Sequence, residues 1–228
     1  MTHGINRVAA AGFTAALALV ATGAAQAQSA GSLIGRIGAT QIRPDVTSGD
    51  LSAPSFAGTQ ADIKPAAAVT AGLTYMLTDR ISIDLPLAAG FKHEIVGAGA
   101  IAGVGKIGEV KALPITLLGQ YRFPAINGNF RPYVGAGPTY AKFYGARSTA
   151  ALTALTGGTP ANPTTLTVKS KFGATVQVGG DFAFAPGWSL DVAVLKTFLK
   201  TTTTLSTGQT LDAKLDPTSI SFGIARKF

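Results

Sequence analysis

The sequence has 228 residues, of which 13% are charged, and its formal net charge at pH 7 is +8. It contains no Cys, which excludes a disulfide scaffold and any redox or zinc site built on thiolates. The Lys and Arg residues are scattered along the chain, which argues against a nucleic-acid partner. A low charged fraction with a positive mean hydropathy of +0.32 is unusual for a water-soluble domain.

The first segment of the chain has the pattern of an export signal. Arg7 precedes an apolar stretch over 8–23, and Ala25-Gln26-Ala27 resembles a cleavage site. The stretch is shorter than the ~20 residues that a membrane-spanning helix needs, which disfavours the alternative of a retained anchor. We predict a signal peptide over residues 1–27 and a single exported domain over residues 28–228.

Eight segments of that domain alternate between apolar and polar or small residues, which predicts β-strands. In the sixth segment Val176 and Val178 share one parity, and Gln177 and Asp181 share the other. A soluble β-sandwich has the same alternation, so the pattern within one strand leaves that alternative open. The predicted strands are 32–43, 64–77, 81–95, 109–123, 131–144, 166–184, 188–201 and 211–228.

Short and long connections alternate between these strands. The short ones are 78–80, 124–129 and 185–187, and the long ones are 44–63, 96–108, 145–165 and 202–210. Transmembrane barrels have short periplasmic turns and long extracellular loops, and eight strands form the smallest of them. With the export signal, this predicts an all-β protein of the bacterial outer membrane, an eight-stranded antiparallel transmembrane β-barrel.

The last predicted strand alternates toward the C-terminus, and one of its faces is mostly apolar. Ile220, Phe222, Ile224 and the terminal Phe228 share one face. A strand that stops on an aromatic residue is typical of outer-membrane barrels. We therefore expect the barrel-assembly machinery to recognise the strand that ends at Phe228.

Four stretches carry a family resemblance. They are FKHEIVGAGAIAGVGKIGEVKALPITLLGQYRF (91–123), RPYVGAGPTY (131–140), QVGGDFAFAPGWSLDVAV (177–194) and KLDPTSISFGIARKF (214–228). In these stretches the chain resembles the OmpW family of small outer-membrane proteins. The resemblance implies an eight-stranded barrel that passes small hydrophobic molecules, since the family includes proteins that assist alkane uptake. The chain departs from the family at Arg226, where an aromatic residue is usual, and at Pro138, where Leu or Ile is common.

Proline interrupts four predicted strands, at Pro86, Pro114, Pro138 and Pro217. Each proline removes a backbone donor from the ladder and so marks a bulge or a local break. Parity places Pro138 on the outside of the barrel and the other three on the inside. One hypothesis is that neighbouring breaks open a gap in the wall, through which an apolar solute leaves sideways into the membrane. The alternative is that the prolines only kink strands near the rim, where bulges are common.

The inward parity carries charges toward the periplasmic ends of the strands. These charges are Asp84, Arg122, Asp181 and Asp191. In a narrow barrel, buried charges must pair because unpaired ones are costly. One hypothesis is that they plug the lumen; the alternative, which we favour, is a salt-bridge network that only holds the barrel together.

Toward the external end the inward parity becomes apolar, and the loops add further apolar side chains. One hypothesis is that these side chains form a hydrophobic path with no continuous aqueous route to the periplasm. The alternative is ordinary packing beneath the loops. The candidates are Phe56, Ile101, Val104, Leu195, Leu199, Leu211 and Leu215.

The sequence contains no recognisable catalytic constellation. His93 is followed by Glu94, but adjacent residues of a strand point to opposite faces and form no simple dyad. We expect a protein that is not an enzyme and has no cofactor or metal. The predicted function is a monomeric channel for passive uptake of small hydrophobic molecules, surrounded by outer-membrane lipids and lipopolysaccharide. The alternative is a structural or adhesive barrel that acts through its external loops without transport.

Overall fold

The structure is a computed structural model that describes residues 29–228. The predicted signal peptide, 1–27, lies outside the described residues. Within 29–228 neither short helix is long and apolar enough to cross a membrane. The strands are β1 Leu33–Arg43, β2 Thr47–Ser48, β3 Thr59–Ile63, β4 Ala66–Met76, β5 Ile81–Ala88, β6 Phe91–Gly99, β7 Lys106–Thr116, β8 Leu118–Arg122, β9 Phe130–Ser148, β10 Leu166–Val168, β11 Lys171–Ala185, β12 Trp188–Phe198, β13 Lys200–Leu205, β14 Thr210–Lys214 and β15 Thr218–Lys227. The helices are a 3-10 turn, Ala102–Val104, and α1, Ala150–Leu155.

Eight of the strands close into an antiparallel ring. The order around it is β1, β4, β5, β8, β9, β11, β12 and β15. The first and last strands pair, with Ile34 opposite Lys227 and Arg43 opposite Thr218. The pairing of β9 with β11 completes the circle. The prediction of an eight-stranded antiparallel barrel is confirmed.

The outer surface of the barrel is a band of apolar side chains. Ile37, Val69 and Phe222 are 65%, 72% and 56% exposed. Alternate residues of the same strands point inward, where polar side chains such as Thr74 and Asp84 are buried. A soluble sandwich would bury its apolar face, so this inverted arrangement fits a lipid environment.

Aromatic side chains border the apolar band at the end with the short turns. Tyr121 and Phe123 make an edge-to-face contact with ring centroids 5.0 Å apart. The guanidinium of Arg226 lies 5.1 Å from the Trp188 ring and 5.3 Å from the Phe228 ring. Arg226 is therefore part of this aromatic girdle, with its charge toward the headgroups.

The short connections lie where the sequence predicts them, whereas parts of the long connections form β-strands. β6 continues to Gly99 and β7 starts at Lys106, so much of the loop predicted over 96–108 is a β-hairpin. β9 continues to Ser148 and is followed by α1, which Thr149 caps by accepting a hydrogen bond from the Leu152 amide. Above the membrane the strands have no lipid-facing apolar residues. The alternation that predicts strands is therefore missing there.

The structure also divides five of the predicted strands. Short interruptions fall at 89–90, 117, 169–170, 199 and 215–217. Beyond these interruptions the long connections pack on one another around an apolar group, here called the loop cluster. Its members are Leu51, Ile107, Leu152, Leu166, Leu205 and Leu211.

Candidate functional site: a charged floor, two apolar cavities and a break in the wall

Buried ion pairs lie inside the barrel toward the end with the short turns. Arg36 Nη2 lies 3.2 Å from Asp84 Oδ1, and Arg36 Nε lies 3.4 Å from Asp191 Oδ1. The Thr74 hydroxyl donates to the same Asp84 oxygen at 2.6 Å. One arginine therefore serves two buried carboxylates, which is the condition for keeping both charged away from water.

A second ion pair lies beside the first. Arg122 contacts Asp181, and the two side chains are 1% and 6% exposed. The Tyr133 hydroxyl donates to Asp191 Oδ2 at 2.7 Å, and the Arg122 guanidinium stacks 4.6 Å from the Tyr133 ring. The four charges predicted to form a plug are thus brought together. We call this group, with Arg36 and Tyr133, the charged floor.

Above the charged floor the lumen becomes less polar in steps. The Gln120 amide donates to Gln177 Oε1 at 2.7 Å. Next to this pair, four threonine hydroxyls form a chain across β7, β9, β11 and β12, with successive O–O distances of 2.8, 2.5 and 2.8 Å. These threonines are Thr116, Thr139, Thr175 and Thr197. Because the hydroxyls satisfy one another, the row needs no water to pair with.

Two adjoining cavities, each of about 70 Å³, lie above the charged floor. They share Ile42, Pro114, Thr197 and Ser219 as lining residues. Each is about half the ~150 Å³ of a protein cavity that holds benzene, so a solute of that size needs both. The upper cavity is mainly apolar, with Val110, Ala141, Phe143, Leu199 and Leu215 in its wall.

The lower cavity lies against the wall of the barrel at β4 and β5. Its lining includes inward residues, such as Arg36 and Pro86, and also Ala71 and Leu87, which point outward. Leu87 is 40% exposed and belongs to the lipid-facing band. The cavity therefore adjoins the lipid-facing band as well as the charged floor.

The lower cavity lies beside an interruption of the ladder between β5 and β7. Asp84 pairs with Leu118 below the break, and Phe91 pairs with Ala112 above it. Between these two pairs, over 85–90 and 113–117, the described structure has no ladder partners that join the two sides. Each side instead keeps its other neighbour, with Pro86 opposite Gly72 on β4 and Pro114 opposite Ala141 on β9. We call this stretch the wall break.

Known outer-membrane proteins share the fold of this barrel. The model of the OmpW family matches residues 29–228. The chain belongs to the OmpW family. The resemblance noted in the sequence is confirmed, and the location of this family member is the bacterial outer membrane.

Three comparisons place the chain within the OmpW family. Outer membrane protein W of Vibrio cholerae serotype O1 is 31% identical over 209 residues, which cover 89% of this chain and 91% of that protein. The crystal structure of OprG from Pseudomonas aeruginosa superposes with a TM-score of 0.77 at 26% identity, over 88% of this chain and 97% of that one. The dibenzothiophene metabolism operon protein PahQ of Pseudomonas aeruginosa is 26% identical over 197 residues, which cover 85% and 87% of the two chains.

The OmpW-like KLDP run has a structural role beside the upper cavity. Its Asp216 accepts a hydrogen bond from the Leu199 amide at 3.0 Å and lies 2.9 Å from Lys214 Nζ. The carboxylate thereby bridges the point where β12 and β15 are both interrupted. Leu215 of the same run is buried in the cavity wall. A side-chain carboxylate therefore joins the two strands at this second interruption.

The residues predicted for the hydrophobic path lie in three different places. Leu195 lines the lower cavity, and Leu199 and Leu215 line the upper one. Leu211 belongs to the loop cluster, and Ile101 packs against it. Phe56 is 85% exposed and Val104 is 39% exposed on the loops; neither lines a cavity described here.

The four prolines also divide. Pro86, Pro114 and Pro217 line the cavities, and Pro86 and Pro114 flank the wall break. Pro138 is exposed on the outer surface, opposite Ala174 in a paired stretch. Its carbonyl accepts a hydrogen bond from the Leu117 amide at 3.1 Å, so this part of the wall is intact.

His93 and Glu94 point to opposite faces in this OmpW-family chain. His93 is buried in the wall of the upper cavity, with Nδ1 2.9 Å from the Lys64 carbonyl oxygen. Glu94 points outward and lies 2.9 Å from Lys106 Nζ. Within residues 29–228 no group of three or more His, Cys, Asp or Glu side chains is placed to hold a metal ion.

Sequence reasoning missed several residues that build the lumen. Arg36 has inward parity but was not assigned to the plug, although it joins two of the plug carboxylates. Tyr133 and the four linked threonines were also missed. Each of them is an uncharged residue at an inward position. Alternation alone does not distinguish such a residue from a small one that only fills space.

Proposed function

We propose that this protein is a passive outer-membrane channel for small hydrophobic molecules, which it releases sideways into the membrane. The observation that carries the proposal is the lower cavity, whose lining includes Pro86 and outward Leu87 on one side of the wall break and Pro114 on the other. A solute in the cavity has an apolar route to lipid that crosses no intact ladder.

The charged floor supports a sideways exit over a straight one. A route to the periplasm would have to separate Arg36 from Asp84 or Asp191, or Arg122 from Asp181. Breaking a buried pair costs about 3–5 kcal/mol because it leaves an uncompensated charge. An apolar solute makes no interaction that repays this cost, whereas transfer into lipid is favourable by about 25 cal/mol per Å² of apolar surface.

One relative adds chemical context. PahQ is named for an operon of dibenzothiophene metabolism. Dibenzothiophene is an apolar aromatic molecule, so the name of this relative supports a hydrophobic solute. A small apolar solute of this class is the one we propose for the present chain.

The test is uptake by cells that lack their own family member and carry this chain. We expect a medium-chain alkane to enter faster than in cells with an unrelated eight-stranded barrel, and a small sugar to enter equally. The double variant P86V/P114V restores two backbone donors beside the wall break and adds residues that favour strands. It should slow alkane entry several-fold, whereas P138V, which changes a proline in an intact part of the wall, should not.

Two outcomes would contradict the proposal in different ways. Equal alkane entry with and without the chain would reject transport and favour a structural or adhesive barrel that acts through its loops. Faster alkane entry that P86V/P114V leaves unchanged would keep transport but reject lateral release at this break. Surface quantity of each variant must be matched, because a misassembled barrel also lowers uptake.

A further inference from the structure

Three lysines point outward from neighbouring strands beside the wall break. Lys92 on β6 lies directly opposite Lys111 on β7. Lys142 on β9 is opposite Leu113, one step diagonal from Lys111. All three side chains are exposed. Directly opposite residues have Cβ atoms about 5 Å apart and diagonal ones about 7–8 Å, so the three ammonium groups can meet at one ligand. We call them the lysine cluster.

The charges of the cluster are only partly balanced. Lys92 Nζ is 3.0 Å from Glu109, which Lys106 also contacts at 3.0 Å. In the described part of the chain no carboxylate lies within 4.0 Å of the ammonium groups of Lys111 and Lys142. Like charges placed opposite each other on a sheet are destabilising. An anion between them would remove that cost.

The height of the lysine cluster above the lipid-facing band indicates which kind of anion can reach it. Immediately below it the outward residues of β7 are Leu113 and Ile115, and Ile115 is 48% exposed in the lipid-facing band. Above it lie charged residues of the β6–β7 hairpin, including Glu94 and Lys106. The cluster therefore lies at the boundary where the outer leaflet changes from acyl chains to headgroups.

A tyrosine fixes the local geometry at this boundary. The Tyr144 hydroxyl on β9 donates to the Ala89 carbonyl oxygen at 3.0 Å, reaching across β7 to the upper margin of the wall break. Gly90 next to this acceptor has φ +108°, and a Cβ there would lie 2.4 Å from the Tyr144 hydroxyl. Lys111 Nζ is 6.0 Å from the Tyr144 ring. The lysine cluster and the margin of the break thus share one scaffold.

We propose that the lysine cluster binds a phosphoryl group of an outer-leaflet lipid, of the kind carried by the glucosamine disaccharide of lipopolysaccharide. Phosphate offers several charged oxygens to several ammonium donors, and charge-assisted hydrogen bonds of this kind are about twice as strong as neutral ones. The bound headgroup lies at the upper margin of the wall break. The inference does not depend on the proposed transport function.

The test is binding of a fluorescent bisphosphorylated lipid A to the full-length barrel in phosphatidylcholine nanodiscs. The variant is K111Q/K142Q, which removes the two lysines without a carboxylate partner. The control is K169Q/K200Q, which removes the same charge at two exposed positions near β10 and on β13. Each lysine near the membrane surface adds to the attraction for an anionic lipid, so we expect K111Q/K142Q to weaken binding by about tenfold or more. The control should weaken binding by less than about twofold.

Two further ligands identify the source of the phosphate. Dephosphorylated lipid A should bind the unchanged chain as weakly as the bisphosphorylated lipid binds K111Q/K142Q. Inorganic phosphate should displace the lipid only at concentrations far above those of the lipid itself. If the two double variants lose equal affinity for the lipid, overall charge alone explains the effect and the proposal is overturned. Equal affinity for inorganic phosphate and lipid A would overturn the lipid assignment, since the site would then be one for free phosphate.

Discussion

Arg36 on β1 and Asp191 on β12 are in contact across β15, with 3.4 Å between Nε and Oδ1. The same guanidinium reaches Asp84 on β5 across β4. One side chain therefore connects five consecutive strands of the eight-stranded ring. Because the side chains of Asp84 and Asp191 are 0% and 1% exposed, water cannot replace the arginine as their partner.

Replacing Arg36 should therefore be among the most damaging single changes in the lumen. Arg36→Met leaves Asp84 and Asp191 buried with no guanidinium between them, and we expect the free energy of unfolding to fall by about 3–5 kcal/mol. Urea unfolding in detergent, followed by the fluorescence of Trp188, measures it. Arg43→Met is the control, because Arg43 is exposed and hydrogen-bonds Gln41 on its own strand. Similar losses in both variants would show that Arg36 is not the centre of the charged floor.

Asp216 should stabilise the barrel through its hydrogen bond as well as its charge. Asp216→Ala removes the acceptor for the Leu199 amide, and we expect a loss of about 1–3 kcal/mol, the cost of an unsatisfied buried donor. Asp216→Asn keeps an acceptor and tolerates the backbone φ of 28°, so it should lose less. Hydrogen exchange at the Leu199 amide is the direct measurement.

A matched control for Asp216 is available on the same side of the barrel. Asp45 is 82% exposed and lies 3.7 Å from Lys196 Nζ, so Asp45→Ala should change stability by less than about 1 kcal/mol. If Asp216→Ala destabilises the barrel no more than Asp45→Ala does, the KLDP run does not hold β12 and β15 together at their interruption.

The sequence predicts the ring, its inward charges and its outward apolar band, because alternation in a membrane strand reports directly which face meets lipid. It does not show which of the four strand prolines flank the wall break. Pro86 and Pro138 give the same signal, a lost backbone donor, yet Pro86 flanks the break and Pro138 lies in an intact stretch. What separates them is the register between strands, which depends on pairing across the whole ring.

The loops are a second part of the structure that the sequence does not predict. Leu211 and Phe56 were both predicted for the hydrophobic path, since both are apolar and near the external end. Leu211 is buried in the loop cluster, whereas Phe56 is 85% exposed. Above the membrane, burial is decided by how β13, β14 and α1 pack together, and no periodic pattern in the sequence reports that packing.

Arg226 should substitute for the aromatic residue that is usual at its position. Its guanidinium lies between the rings of Trp188 and Phe228, and we expect this stacking to contribute about 1 kcal/mol. Arg226→Ala should lower the fraction of chain assembled in cells, and Arg226→Phe should restore it. Both are measured by the heat-dependent shift in gel mobility. Normal assembly of Arg226→Ala would show that recognition of the last strand needs only Phe228.

Glu109, which lies above the apolar band, should make the β6–β7 hairpin sensitive to acid. Hydrogen bonds from Lys92 and then from Lys106 hold the pKa of Glu109 below its ordinary value of 4.5. A carboxyl group whose pKa is lowered in the folded state stabilises that state above its unfolded pKa. The contribution is lost as the pH falls through the folded pKa, so the hairpin should loosen below about pH 4.5 and not between pH 5 and 8.

Hydrogen-exchange protection of the hairpin amides, corrected for the intrinsic rate at each pH, measures this loss. E109Q should show the acid-state protection already at pH 7 and little further change on acidification, because the amide cannot ionise. Protonation of Glu109 also frees Lys92 from its carboxylate partner, so acid should strengthen the positive potential of the lysine cluster. An unchanged pH profile in E109Q would mean that another group outside this network controls the hairpin.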